Sequence, residues 1–417
     1  MRTIRFAPLL LLLLGAAPAR LDQPPSGPGA TLALPPPGAT NSASNSSNPI
    51  GWPAGRTPQA PPGFVVETYA RLPSARQMLV LDNGDVLVAQ SNGESSGSPN
   101  RVTVLRGINP DGSAARAFTL ATGLANPFGL AVAGGFLFVA DTAVVHRWPF
   151  HVGQTRVDGP GQTIFTMPGG GESTYGHWTR NLTLAPDGKS LFVSVGSSSN
   201  IADSGIARER GRAAIWRIGL DGSGARVFAG GLRNPVGTAI QPETHALWTV
   251  VNERDGLGDN LPPDYLTHVD DGGFYGWPWR YYGRHDARVR IPEPTYATAS
   301  RVPDYALGAH TASLGLLFYR GQAFPLAWRG AFVGQHGSWN RARLSGYRVA
   351  FLPFEHGQPA ARPLTDFLTG FVADADEATV YGRPVGLAEM KDGSLLVADD
   401  AGNRVWRVRW AGNVAAR

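Results

Sequence analysis

From residue 63 onward the chain repeats one pattern of apolar and polar positions. A polar residue opens an apolar run, a turn of the Asp-Gly kind follows, and a second run rich in Val, Leu and Phe returns. Such paired runs read as β-hairpins. Six copies are visible: ARQMLVLDNGDVLVAQ from Ala75, NPFGLAVAGGFLFVAD from Asn126, RNLTLAPDGKSLFVSV from Arg180, NPVGTAIQPETHALWTVV from Asn234, TASLGLLFYRGQAFPLAWRGAFVGQ from Thr311 and RPVGLAEMKDGSLLVADD from Arg383. Outer runs follow several of them, as in RVTVLR from Arg101 and RVWRVRW from Arg404. Spacings of roughly 50 to 75 residues with about four strands per unit match propeller blades, each covering its neighbour's apolar face. The expected fold is therefore all-β, a six-bladed β-propeller of four-stranded antiparallel blades. A two-sheet sandwich is the alternative, but it gives no reason for six similar hairpins. The run 64–70 precedes the first hairpin and is placed to pair with the last blade and close the ring.

What precedes that region reads differently. Residues 1–19, MRTIRFAPLLLLLLGAAPA, join two arginines, a leucine run and a small-residue end, the pattern of a secretory signal peptide with an apolar segment too short to span a membrane. Residues 20–62 are Pro, Gly, Ser, Asn and Ala with hardly a charge, and are expected to form a disordered leader. The propeller domain then occupies 63–417, and the expected location is periplasmic or secreted.

Composition narrows the chemistry. Cysteine is absent, which removes disulfide, zinc-thiolate, iron–sulfur and cysteine-nucleophile readings. The formal charge of +5 is almost wholly arginine, since Lys189 and Lys391 are the only lysines. Arginine forks suit carboxylates and phosphates, and no basic run with interleaved aromatics supports nucleic-acid binding.

Ring closure brings the residues that open each hairpin to one mouth of a central channel. They are Arg76, Asn126, His177 with Arg180, Arg233 with Asn234, His310 with Thr311, and Arg383. A buried polar group without a partner costs about 1 to 3 kcal/mol, so a polar ring points to a ligand; Asn-Pro as a simple strand-entry turn is the other reading of Asn126. Beside this mouth the fourth hairpin runs into Asn252, Glu253, Arg254, Asp255, Asp259 and Asp264. That loop is dense enough in oxygen donors to hold calcium, or else it is a solvated acidic loop.

The LRNP start at 232–235, the NERD…GD…PPDYL loop at 252–266 and the GGFYGWP turn at 272–278 resemble the pyrroloquinoline quinone (PQQ) dependent soluble glucose and sorbosone dehydrogenases, more closely the sorbosone branch. The resemblance runs from about residue 63 to the C-terminus. It implies a quinoprotein that oxidises a sugar or sugar-derived aldehyde and passes electrons to a quinone or cytochrome, as a monomer or homodimer without a membrane span. His177 would be the general base, and Arg233 would stabilise developing charge. Asn234, Asn252, Thr311, Arg341 and Arg383 would contact PQQ. Calcium would serve as electrophile, held by main-chain carbonyls of Asn252, Glu253 and Arg254, with Asp255, Asp259 and Asp264 available to a second ion.

Some positions depart from that pattern. The aspartate that partners the histidine in the glucose enzymes has Ser197 as its nearest counterpart, unless Asp203 or Glu209 supplies the carboxylate. The PQQ-binding lysine is replaced within GQHGSWNRAR, and Tyr381 stands where a second arginine is expected. These changes make glucose a poor candidate substrate. A calcium-dependent propeller lactonase and a non-catalytic carbohydrate- or protein-binding propeller stay open as alternatives.

Overall fold

A computed structural model describes residues 25–92, 100–169 and 176–412. The expected signal peptide lies outside them. The described chain is all-β, interrupted only by four short 3-10 turns. Six antiparallel sheets of four or five strands follow one another along the sequence, with two smaller sheets of two and three strands.

Each large sheet begins with one of the repeated hairpins. The first is built from Ala75–Val80, Val86–Gln90, Arg101–Ile108 and Ala114–Ala121, each strand pairing with the next. The second and third follow the same plan from Gly129–Ala133 and Leu182–Leu184. The fourth starts at Pro235–Ile240 and the fifth at Ser313–Phe318. In the sixth, Pro384–Glu389, Leu395–Asp399 and Arg404–Trp410 are completed by Phe64–Ala70, which pairs with Arg404–Trp410. The first and last strands of this region thus share one sheet, as the placement of the run 64–70 predicts.

The first strands of neighbouring sheets touch in a closed circuit. Ala75–Val80 meets Gly129–Ala133, which meets Leu182–Leu184, and contacts continue through Pro235–Ile240, Ser313–Phe318 and Pro384–Glu389 back to Ala75–Val80. The repeated glycine of NPxG, SLG and RPVG makes this approach possible. A Cβ on Gly315 would lie 2.1 Å from the Val385 carbonyl oxygen, and one on Gly386 would lie 2.2 Å from that of Arg76. Gly129 and Gly237 face the next strand's backbone in the same way. The sequence repeat therefore encodes a strand-to-strand contact as well as a hairpin.

Six apolar clusters fill the spaces between successive sheets. Leu87 and Val102 pack with Leu130 and Val139 between the first and second, and Trp248 and Leu266 pack with Leu316 and Val333 between the fourth and fifth. The cluster between the fifth and sixth contains Phe332, Phe351, Val397 and Trp406. Each fully buried Val, Leu or Phe contributes about 1.5 to 3 kcal/mol, so these interfaces are the main hold on the arrangement.

Residues 25–62 differ from the disordered leader that their composition suggests. Ser26–Pro28 adds a strand to the fourth sheet beside Tyr305–Ala309, and Asn48–Pro49 pairs with Thr379–Val380. Trp52 is buried within 5.0 to 5.4 Å of the rings of Phe371, Tyr381 and Trp406, and its Nε1 donates to Asp399 at 2.6 Å. A charge-poor segment cannot build a core of its own, but it can cover someone else's. Leu32 and Leu34 pack on the cluster between the third and fourth sheets.

Candidate active site

Three of the sheets converge on a cavity of about 500 Å³. The third contributes His177 from the segment ahead of its first strand. The fourth contributes Arg233 and Asn234 from its entry, and Asn252, Glu253, Asp255 and Asp264 from the charged loop. The fifth contributes Ser338, Trp339 and Asn340, with His310 and Ala312 just before its first strand. A larger cavity of about 660 Å³ lies among the opposite portions of the first strands, lined by Met78, Leu130, Leu184, Leu316 and Leu387 among others. Size alone would favour it, but its lining holds no histidine, so the smaller one is the candidate for proton-transfer chemistry.

His177 is held in one tautomer. Its Nδ1 lies 3.0 Å from the Ser197 carbonyl oxygen and 3.1 Å from Ser197 Oγ. The carbonyl can only accept, and Ser197 Oγ spends its own proton on the Ser199 carbonyl at 2.7 Å. Nδ1 therefore carries the hydrogen, leaving a lone pair on Nε2, which makes no hydrogen bond among the described residues. Burial and the neighbouring Arg233 hold the His177 pKa well below the ordinary histidine value. Arg212 and Arg180 act in the same direction. Among the described residues no carboxylate relieves this: Glu209 accepts from Ser198 and Ser199, and Asp203 from the Ile201 amide.

The second cavity histidine is closed to proton transfer. His310 Nε2 donates to the Gly258 carbonyl at 3.0 Å, and Nδ1 accepts from the Asn340 amide at 3.0 Å. Asn340 turns its other N–H to Asp255. Both ring nitrogens are taken, so His177 alone of this pair offers a base.

Arg233 is fixed by the acidic loop. Its guanidinium donates to the Glu253 carbonyl at 2.6 Å, to Asn200 Oδ1 at 2.9 Å and to Asp255 at 3.0 Å. Asn234 packs beside His177 because the residue between them is glycine: a Cβ on Gly196 would lie 2.4 Å from Asn234 Oδ1 and 2.5 Å from His177 Cβ. Asn234 Oδ1 itself is buried without a partner. Asn252 lines the cavity while its amide donates to the Ser313 carbonyl at 2.7 Å.

Other expected site residues are placed elsewhere. Thr311 is buried and directs its hydroxyl to Asp264 at 3.0 Å. Arg341 is tied to the Asp259 and Arg343 carbonyls and to Asn260, so it braces the loop instead of lining the cavity. Arg383 donates to the main-chain oxygens of His336 and Gly337 at 3.0 and 2.9 Å, one step behind the cavity wall at Ser338. In the same neighbourhood Asp400 joins Arg76 at 3.0 Å and His336 at 2.9 Å.

The calcium ligands also do not assemble. Arg254 is fully buried between Glu253, Asp286 and the carbonyls of Pro278 and Arg280. The Glu253 side chain is consumed in that pair, and Asp259 accepts from the Ala43 and Ala342 amides. Asp264 accepts from Glu253 N, Thr311 and Ala312 N, and burial pushes its pKa up to about 6. The carbonyls of Asn252 and Glu253 face Arg233. Among the described residues no three His, Asp or Glu side chains group to hold a metal.

Sequence reasoning left two elements of the site unread. Trp339 sits inside GQHGSWNRAR, a segment scanned for a replacement lysine and not for a ring. Gly196 was hidden in GSSSN, where only its contact with two distant residues gives it meaning.

The TrAA12-like family model matches residues 58–267 and 293–411. The chain belongs to the TrAA12-like family. A PQQ-dependent pyranose dehydrogenase of Coprinopsis cinerea is 26% identical over 299 residues, covering 57% of this chain and 40% of that protein. An uncharacterized protein of Borreliella burgdorferi is 32% identical over 235 residues, covering 56% of this chain and 60% of the relative. The chain thus matches only part of the length of these relatives. The holo form of the pyranose dehydrogenase PQQ domain from Coprinopsis cinerea superposes with a TM-score of 0.68 at 21% identity, covering 87% of this chain and 100% of that one. The two share a fold, and the pyranose dehydrogenase to which this TrAA12-like chain is similar is PQQ-dependent. No described helix is long and apolar enough to cross a membrane.

Proposed function

We propose that this chain is an exported PQQ-dependent dehydrogenase of sugars or sugar-derived aldehydes, built on a six-bladed propeller whose blades are the six large sheets. The observation that carries the reading is His177: a neutral imidazole with its proton fixed on Nδ1 and a free Nε2, facing the cavity that also holds Arg233 and the unpartnered Asn234 Oδ1.

In this cavity PQQ would meet the Arg233 cation and the Asn234 amide, with the Asp255 and Asp264 carboxylates also on the lining. Arg233 offers a cation to a carboxylate or quinone oxygen, and Asn234 offers an acceptor whose burial costs free energy until something donates to it. Arg383 lies behind the wall at Ser338, tied to the His336 and Gly337 carbonyls, and Arg76 is paired with Asp400. When bound, PQQ supplies an electrophilic carbon that accepts the hydride from the sugar. His177 Nε2 would take the proton of the sugar hydroxyl, acting as the general base. The N–H groups of Arg233 are shared among Asn200, Asn252, Glu253 and Asp255, so it would act on developing negative charge through its fixed positive charge.

Calcium does not fit these residues as they stand: the Asn252 and Glu253 carbonyls face Arg233, the Glu253 and Asp255 carboxylates pair with Arg254 and Arg233, and Asp259 and Asp264 accept from amides. The electrophilic role therefore falls to Arg233. The imidazolium formed in turnover finds Ser197 oxygens where the glucose enzymes have a carboxylate, which favours rapid release of its proton. Export rests on residues 1–19, and a quinone, cytochrome or dye would take the electrons.

The test is reconstitution. Chain mixed with PQQ should reduce an artificial acceptor when offered aldoses or sorbosone, and His177→Ala should remove that activity while leaving PQQ bound. Absence of PQQ binding at micromolar concentration would contradict the proposal.

A further inference from the structure

Trp339 is an exposed ring on the lining of this cavity. Its surface is 52% exposed, while its neighbours Ser338 and Asn340 are 1% and 9% exposed. Large aromatic rings at such exposure lose the gain of burial. The backbone beneath this ring is nevertheless held firmly. Ser338 N donates to the Ser345 carbonyl at 2.9 Å, Tyr347 donates to the Ser338 carbonyl at 2.6 Å, and Asn340 is fixed between Asp255 and His310. The ring is presented on a rigid support.

Part of that support comes from the N-terminal segment, which precedes the start of the family match at residue 58. Asn45 N donates to the Trp339 carbonyl at 2.7 Å, and Asn45 Nδ2 to the Ala342 carbonyl at 2.9 Å. Just before it, Ala43 N donates to Asp259 at 3.1 Å, the Asp259 amide donates to the Asn41 carbonyl at 3.1 Å, and Gly258 N donates to Ser42 Oγ at 2.9 Å. Residues 41–45 therefore clip the acidic loop of the fourth sheet to the Trp339 loop of the fifth, along the rim of the cavity.

We propose that Trp339 is the stacking platform for the sugar ring, and that Asn45 is the positioning residue that holds it. This rests on the sugar-dehydrogenase reading. A pyranose presents C–H groups on one face and hydroxyls at its edge. The indole offers the apolar surface that the rest of this polar cavity lacks, while His177 and Arg233 serve the hydroxyl that reacts. Among the described residues no other aromatic side chain lines the cavity.

The experiment uses the full chain loaded with PQQ. Trp339→Ala should raise KM for an aldose about tenfold with kcat changed less than about threefold, the signature of lost binding shared by ground and transition states. PQQ affinity should not change, and Trp339→Phe should recover most of the loss. Asn45→Pro, which deletes both the N–H and the amide, should move KM the same way by a smaller factor, and Asn45→Ala less again. An unchanged KM in Trp339→Ala, or a loss of PQQ affinity in its place, would overturn the proposal. Sugar titrations followed by tryptophan emission separate this from the activity itself. If the wild type turns over no sugar, the dehydrogenase reading fails, yet an emission change present in the wild type and absent in Trp339→Phe would still support the platform. An equal change in both would overturn it.

Discussion

The two ends of the first strands obey different rules. At the entry end, Arg76, Asn126, Arg180 and Asn234 each carry a buried side-chain atom without a hydrogen-bond partner. At the far end, Met78, Leu130, Leu184, Leu316 and Leu387 line a larger cavity, and none of the residues described there carries such an atom. An unmet buried polar atom costs about 1 to 3 kcal/mol, so packing alone would have selected against the entry end. Volume is the weaker guide here: the larger cavity mixes aliphatic side chains with Asp82, Arg320, Glu389 and Lys391, whereas the smaller one holds His177 and the unpartnered Asn234.

Substitutions at each end break this comparison differently. The largest effect is expected from His177→Ala, which should lower the rate of acceptor reduction by on the order of 100- to 10,000-fold, the range for a lost general base, with PQQ affinity nearly intact; stopped-flow reduction of the bound cofactor reads it. Arg233→Met should weaken PQQ binding by roughly a hundredfold, because the half-buried Asp255 carboxylate then loses its cationic partner as well. Leu316→Ala at the far end should cost about 2 to 5 kcal/mol in denaturant unfolding and leave PQQ affinity where it was.

Ser197→Asp sharpens the account of the base. His177 is held well below the ordinary histidine pKa by burial and Arg233, so the wild-type acid limb should lie below pH 6.5. A carboxylate at 197 favours the imidazolium and should move that limb to higher pH. A limb unmoved by the substitution would mean that another group sets it.

The smallest effect concerns stability. Burial, with Arg383 nearby, pushes His336 down to about 4 from 6.5. Between these values the unfolded chain binds a proton that the folded chain refuses, so this histidine's contribution is present above pH 6.5 and is lost as pH falls toward 4. The stability advantage of wild type over His336→Gln should therefore shrink through that window, by at most about 1.4 kcal/mol per pH unit.

Much of the fold is legible in the sequence because a repeat states it six times. The NPxG and RPVG entries carry both the hairpin and the glycine needed where adjacent first strands meet, and the run 64–70 had only one sheet left to join. The leader was misread because its composition was weighed as though it had to bury itself, whereas Trp52 and Leu34 use surfaces built by residues hundreds of positions away. In the site, His177, Arg233 and Asn234 were recoverable from their position at strand entries. Arg341 and Thr311 were not, since a residue type in a loop does not reveal whether its hydrogen bonds are already spent on that loop. The acidic loop shows the same limit: its carboxylates look like ligands in sequence and are amide acceptors in space.

The most direct measurement is equilibrium titration of PQQ into the wild type, Arg233→Met and Leu316→Ala. The account predicts binding at micromolar concentration or tighter, lost or strongly weakened in Arg233→Met and unchanged in Leu316→Ala. Binding that ignores Arg233, or that depends on Leu316, would place the cofactor at the other end and contradict it.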